Sequence, residues 1–185
     1  MNAVCLAVAV LTILVSVGCN SAPKPQGQGP AQSPTGENYP MLTTRAKELE
    51  EALGRKDYAK VIDLTYPPLV EFGGGREKLL AGMTREMKTM EVEGVELLSS
   101  TSAAPSQFFH DASGIYAVVP VVSRFKAKDG IFQTEGSLIG ISNDGGANWT
   151  FVDATGKDQT ELRKVFPNLD KLNLPAEKPP VKVSN

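Results

Sequence analysis

Past residue 19 the chain carries no cysteine, and in all its 185 residues it carries one histidine, His110. Cys5 and Cys19 both fall in the leader, so the body has no thiol for a disulfide, a metal or a nucleophile. One His and no body Cys argue against a metal centre, and no cofactor is expected. Charge is balanced as well as sparse: 19 Lys and Arg against 21 Asp and Glu leave a net charge of −2. Without a basic cluster there is no footprint for phosphates, which argues against nucleic acid as a partner. The sequence also lacks the Gly-x-Ser-x-Gly elbow of serine hydrolases. Gly73-Gly74-Gly75 precedes a helical pattern but lacks the Lys-Ser/Thr of a phosphate loop, so it reads as a corner. Several enzyme classes drop out at once.

What the chain does have starts with its leader. Residues 1–18 carry no charged side chain, and residues 3–17 are almost wholly apolar. That stretch is short of the ~20 residues of a spanning helix but has the length of a secretory h-region. It ends in Ser16-Val17-Gly18-Cys19, which resembles the lipobox of bacterial lipoproteins, with Ser16 where Leu is usual. The resemblance implies a signal peptide over residues 1–18 and cleavage before Cys19. It also implies acyl chains on Cys19 that hold the protein on a membrane of the bacterial envelope, facing the periplasm or the exterior. Each buried CH₂ contributes about 0.8 kcal/mol, so two or three chains anchor firmly. Residues 20–40 are rich in Pro, Gly, Gln and Ser with no apolar period. They read as a flexible tether spanning roughly 25 Å.

Helical spacing follows. Over residues 41–54, Leu42, Ala46, Leu49 and Leu53 share a face and Gly54 is a plausible C-cap. Asp57 is a good N-cap for a short helix to about Thr65, which Pro67-Pro68 stops. Leu69 to Phe72 reads as a short extended piece. Leu79, Leu80, Met83, Met87 and Met90 then form the stripe of a third helix. Those methionines either pack the core or line an adaptable pocket, and core packing is the commoner case.

Strands fill the second half. Residues 92–100 alternate weakly, with Gly94 at a bulge, and residues 107–111 form a short strand. Residues 115–153 read as a three-strand meander with apolar side chains on both faces: Ile115, Ala117, Val119, Val121 and Phe125 against Tyr116, Val118 and Val122. Pro120 inside the first long strand requires an edge or a bulge. Ser142-Asn143-Asp144-Gly145-Gly146-Ala147-Asn148-Trp149 matches the Asp-box pattern of sialidase-type propellers, yet occurs once in a chain too short for a propeller. It is read as turn chemistry with Trp149 as anchor. Residues 158–161 have the form of a capping box opening a last helix, and residues 168–185 are expected to fray.

The order helix, helix, short strand, helix, then four or five antiparallel strands defines an α+β class. Together with residues 45–53, Asp57-Tyr58-Ala59-Lys60-Val61-Ile62-Asp63-Leu64 and residues 115–153, it resembles the NTF2-like (SnoaL-like, cystatin-fold) superfamily. The resemblance covers roughly residues 41–166 and implies a curved antiparallel sheet wrapped around helices as a cone. It implies a domain over 41–167, a small-molecule or protein partner at the open end, and dimers through the sheet. Acid–base chemistry there needs a buried carboxylate or imidazole. The candidates are Asp63, Glu71, His110 and Asp153, with Tyr58, Tyr66 and Tyr116 as hydrogen-bond donors. No segment matches the carboxylate–tyrosine set of ketosteroid isomerases. The expected ligand-facing residues of the cone are therefore Tyr58, Asp63, Tyr66, Tyr116 and Asp153. The reading favours a non-catalytic binding domain, and the alternative is a SnoaL-like isomerase or hydrolase working through a buried carboxylate.

Overall fold

The computed structural model describes residues 37–155, 159–166, 169–176 and 178–184. The leader, Cys19, most of the tether and Asp158 of the expected capping box lie outside the described residues. Four helices come first: α1 (Pro40–Gly54), α2 (Tyr58–Asp63), α3 (Pro67–Phe72) and α4 (Arg76–Val92). The strands β1 (Glu96–Ser102), β2 (Gln107–Asp111), β3 (Gly114–Ala127), β4 (Gly130–Ser142) and β5 (Thr150–Asp153) follow, then α5 (Gln159–Val165), a 3₁₀ turn (Leu169–Lys171) and β6 (Val181–Ser184). No described helix is long and apolar enough to cross a membrane.

All six strands join one antiparallel sheet with β3 and β4 at its centre. The sheet curls strongly into a half-barrel around the helices, the cone-like α+β architecture expected. Lys128-Asp129 is a two-residue hairpin loop, since Ala127 pairs Gly130. Alternation along β3 sends Ile115, Ala117 and Val119 inward against Leu42, Ala46, Leu49, Ala52, Val61, Ile62 and the methionines of α4. Tyr116 and Val118 face outward, under Leu162, Phe166, Leu169 and Leu172. The sheet thus has an apolar layer on each face, and α5 with the 3₁₀ turn covers the second. At Gly140, an ideal Cβ would stand 2.8 Å from Leu42 Cδ1 and 3.3 Å from Trp149, so glycine lets α1 approach the sheet there.

Pro120 falls where β3 changes partner. Residues Val121–Lys126 pair with β1 and Gly114–Val118 with β2, leaving Pro120 beside the loop between them. Its carbonyl accepts from Ala103 N at 2.8 Å on that side. The missing N–H therefore breaks no ladder.

Several local expectations are corrected. Leu69–Phe72 is helical: Pro67 and Pro68 open α3 instead of merely ending α2, since proline at N1 sacrifices no intrahelical donor. Gly54 remains helical, and Lys56 takes the left-handed conformation (φ 58°) while Asp57 N donates to Ala52 O at 2.8 Å. Gly94 (φ 76°) caps α4, with Val95 N donating to Met90 O at 2.8 Å, so the helix runs to Val92 and the strand begins at Glu96. The bulge lies instead between Leu97 and Ser99. The C-terminal segment expected to fray is partly packed: Leu169 and Leu172 are buried, and β6 pairs with β4.

Candidate functional site

Helices α1, α2 and α4 stop short of filling the concave face. A partly open cavity of about 110 Å³ remains between the second half of α1 and the part of the sheet where β1, the second half of β3 and the facing part of β4 run together. Its floor is apolar: Leu49, Leu53, Val61, Leu64, Met83, Met87, Leu138 and Phe151. Its polar side chains are Glu50, Thr65, Ser100, Ser123, Thr134, Asp153 and Thr155. An apolar hollow with a few converging polar groups is the usual form of a ligand site, though this one is well below the 300–1,000 Å³ typical of drug-sized ligands. An apolar cavity of about 150 Å³ holds one benzene, so this hollow has room for no more than a single ring or a short chain.

Most of these polar groups are already ordered. Ser100 Oγ and Ser123 Oγ share a hydrogen bond of 3.1 Å across β1 and β3. Thr65 Oγ1 donates to Val61 O at 2.9 Å, and Asp153 Oδ1 accepts from Thr155 N at 2.9 Å. Glu50 Oε1 accepts from Ser102 N, which ties α1 to β1. A Cβ at Gly136 would overlap Thr155, so this glycine lets Thr155 lie over β4 at the cavity wall.

Of the five residues expected to face a ligand, only Asp153 lines the cavity. Tyr58, at the start of α2, packs beside the inner core, and burial raises its phenol above the ordinary value. Asp63 sits at the surface, where Arg76 Nε donates to Oδ1 at 2.8 Å and holds the carboxyl below its usual range. Tyr66 and Tyr116 are on the outer face of the sheet, not inside the cone. Tyr66 stacks on Phe166 with centroids 5.0 Å apart, and burial raises its phenol. Tyr116 shares a 2.6 Å hydrogen bond with Ser113 Oγ. Period-two alternation places Tyr116 opposite Ile115 and Ala117, and that alone separates it from the concave wall. Glu71 is exposed on α3, and exposed His110 on β2 holds Glu37 through Nε2 at 2.7 Å.

Sequence reasoning missed Glu50, although the signal was present. Ala46, Leu49, Glu50 and Leu53 stand at i, i+3, i+4 and i+7, so a carboxylate occupies the apolar stripe of α1. The methionine stripe serves both readings: Met83, Met87 and Met90 are all in the inner core, and Met83 and Met87 also line the cavity. No group of three or more His, Cys, Asp or Glu that could hold a metal occurs among the described residues.

A second hollow of about 260 Å³ lies on the outer face, lined by Tyr66, Phe109, Tyr116 and Phe166. It is bounded by α5, whose flanking residues 156–158 and 167–168 lie outside the described residues. The inner cavity, walled by the central strands and three helices, is the better-defined site.

No protein-family model matches the chain, and no curated protein matches it either. The reading of function rests on the fold and on this cavity.

Proposed function

We propose that this is a non-catalytic binding domain of the NTF2-like kind, held on the bacterial envelope by lipid on Cys19, which takes a small apolar ligand into the hollow of its cone. The observation that carries the reading is the partly open cavity between α1 and the concave sheet, with its apolar floor and its few polar groups. The leader, the cysteine after Gly18 and the Pro/Gly-rich stretch before residue 37 support the anchor. A second copy or another protein finds apolar surface near one end of the outer face, where Leu98, Val122, Val181 and Val183 are exposed.

One observation favours the enzymatic alternative: Asp153 is at a mostly apolar cavity, as a general base requires. Neither Tyr58, Tyr66 nor Tyr116 lines that cavity, so the expected donor beside it is missing from the described lining. Binding is the simpler chemistry.

Native mass spectrometry of the purified full-length chain tests the proposal. A ligand of low mass, lost on collisional activation and absent from a Ser123→Phe variant that fills the cavity, is the expected result. A folded protein that neither carries nor takes up any small apolar molecule contradicts it. Intact mass also tests the anchor, since acyl chains should vanish in Cys19→Ala.

A further inference from the structure

We propose that the hollow on the outer face of the sheet is a second ligand site, for a neutral planar aromatic that carries a hydrogen-bond donor, such as an indole or a naphthol. Its walls are four rings in sequence. Tyr66 stacks on Phe166 with centroids 5.0 Å apart, Phe166 meets Tyr116 edge-on at 6.4 Å, and Tyr116 lies 6.0 Å from Phe109. Four elements supply them: Tyr66 caps α3, Phe109 is on β2, Tyr116 on β3, and Phe166 follows α5. The hollow opens beside exposed Ser113. Aromatic walls attract either another ring or a cation. Lys171 settles the choice, since its Nζ already stands 5.0 Å from the Phe109 centroid and repels a second cation. The volume is about 260 Å³, against roughly 150 Å³ for a cavity that holds benzene, so two fused rings fit.

The polar wall has a direction. Ser113 Oγ lies 2.5 Å from Asp111 Oδ1 and 2.6 Å from Tyr116 Oη. A carboxylate only accepts, so the single hydroxyl proton of Ser113 goes to Asp111. Ser113 Oγ then accepts from Tyr116, whose own proton is thereby engaged. Tyr116 Oη is left with lone pairs, and the chain of bonds ending at Asp111 makes it a better acceptor. Ser113 and Tyr116 both line the hollow, so an N–H or O–H on the ligand finds its partner there. The Tyr66 hydroxyl can donate or accept and adds no preference. This site is on the opposite face of the sheet from the inner cavity and does not depend on it.

Indole and 1-methylindole share two fused rings and differ in the N–H. Each is titrated into the full-length chain with its leucine and valine methyls labelled. Indole should give saturable shifts at Val165, Leu169 and Leu172, which line the hollow. It should bind roughly three- to ten-fold tighter than 1-methylindole, as one net hydrogen bond implies. Tyr116→Phe keeps the ring and removes the oxygen, so indole should fall to the affinity of 1-methylindole, itself unchanged. Both should still bind Ser123→Phe, whose inner cavity is filled, and tetramethylammonium should shift none of these methyls. Shifts confined to Leu49, Val61 and Leu138 of the inner cavity overturn the inference and leave that cavity a ligand site. Equal affinity of the two indoles, a preference that survives Tyr116→Phe, or a saturable response to tetramethylammonium overturns it too. Failure of both indoles removes the outer site alone, because 1-pentanol tests the inner cavity separately.

Discussion

At the scale of single residues, the hairpin between β4 and β5 shows how much one carboxylate can organise. Asp144 Oδ1 accepts from Asn148 N at 2.9 Å and Ser142 Oγ at 2.8 Å, and Oδ2 accepts from Asn148 Nδ2 at 2.7 Å. The Asn148 side chain and backbone, with Ser142, hold its carboxyl down to about 2 from an ordinary 3.8. A depressed folded value means that Asp144 stabilises the protein fully above the ordinary carboxylate value and loses that effect as pH falls toward 2. Asp144→Ala should therefore lower Tm at neutral pH by a few degrees. The gap from wild type should close between about pH 4 and about pH 2 in thermal melts. A gap independent of pH would assign the loss to something other than the ionised carboxylate. Trp149, 1% exposed, donates Nε1–H to Gly146 O at 3.0 Å and meets the edge of Tyr39 at 5.5 Å. Trp149→Ala should cost about 3–5 kcal/mol in urea unfolding, as expected for deleting a buried large aromatic. The motif was legible as architecture because its bonds are all within eight residues. Tyr39 packing on it was not, because that contact is tertiary.

At the scale of elements, what could be read followed from period and from local chemistry. The Asp57 cap is as expected, its side chain accepting from Lys60 N at 3.1 Å, and the β3–β4 hairpin and its two apolar faces came from simple alternation. Proline and glycine were harder. Pro67-Pro68 is compatible with both a stop and a start, and the choice was made by the geometry that lets Tyr66 N reach Phe151 O at 2.9 Å. The alternation of residues 92–100 points to a strand through Gly94, whereas the helix before it needs a left-handed residue to close its last turn.

The C-terminal segment had no local signal. Its attachment depends on Gln107, whose Nε2 donates to Lys171 O at 2.9 Å and whose Oε1 accepts from Asn173 N at 2.9 Å. With Leu169 2% and Leu172 6% exposed, that segment closes the outer core. Leu169→Ala or Leu172→Ala should each cost about 2–5 kcal/mol. Val183→Ala, at an exposed position of β6, should stay within about 0.5 kcal/mol. Equal, small effects of all three in denaturant melts would mean that the 3₁₀ turn is a loose tail after all.

At the scale of the whole molecule, the class was legible from element order, the cone only as what the resemblance implies, and the inner face of the sheet from alternation. The site was legible only in part. Asp153 is legible as a carboxylate near the end of the meander. Tyr66 and Tyr116 lie outside the cone interior because their strand face or helix start turns them to the outer core. Glu50 could have been found from the stripe of α1, but Ser123, Thr134 and Thr155 could not. Small hydroxyl residues carry no sequence signal for a cavity that forms only when β1, β3, β4 and β5 curl together. The cavity is a property of the assembly: α1 is drawn close to the sheet at Gly140 and leaves a hollow beside the second half of β3.

The methionines offer the most direct test of that cavity as a ligand site. Met83 and Met87 line it, while Met90 lies in the core and Met41 packs elsewhere against it. Methyl-labelled methionine spectra of the full-length chain should be recorded during a titration with 1-pentanol, whose neutral head asks only about the apolar hollow. A ligand cavity there gives saturable shifts of the Met83 and Met87 methyls, little change at Met41 and Met90, and no response in Ser123→Phe. Absent shifts, or equal drift of all the methyls, would contradict it.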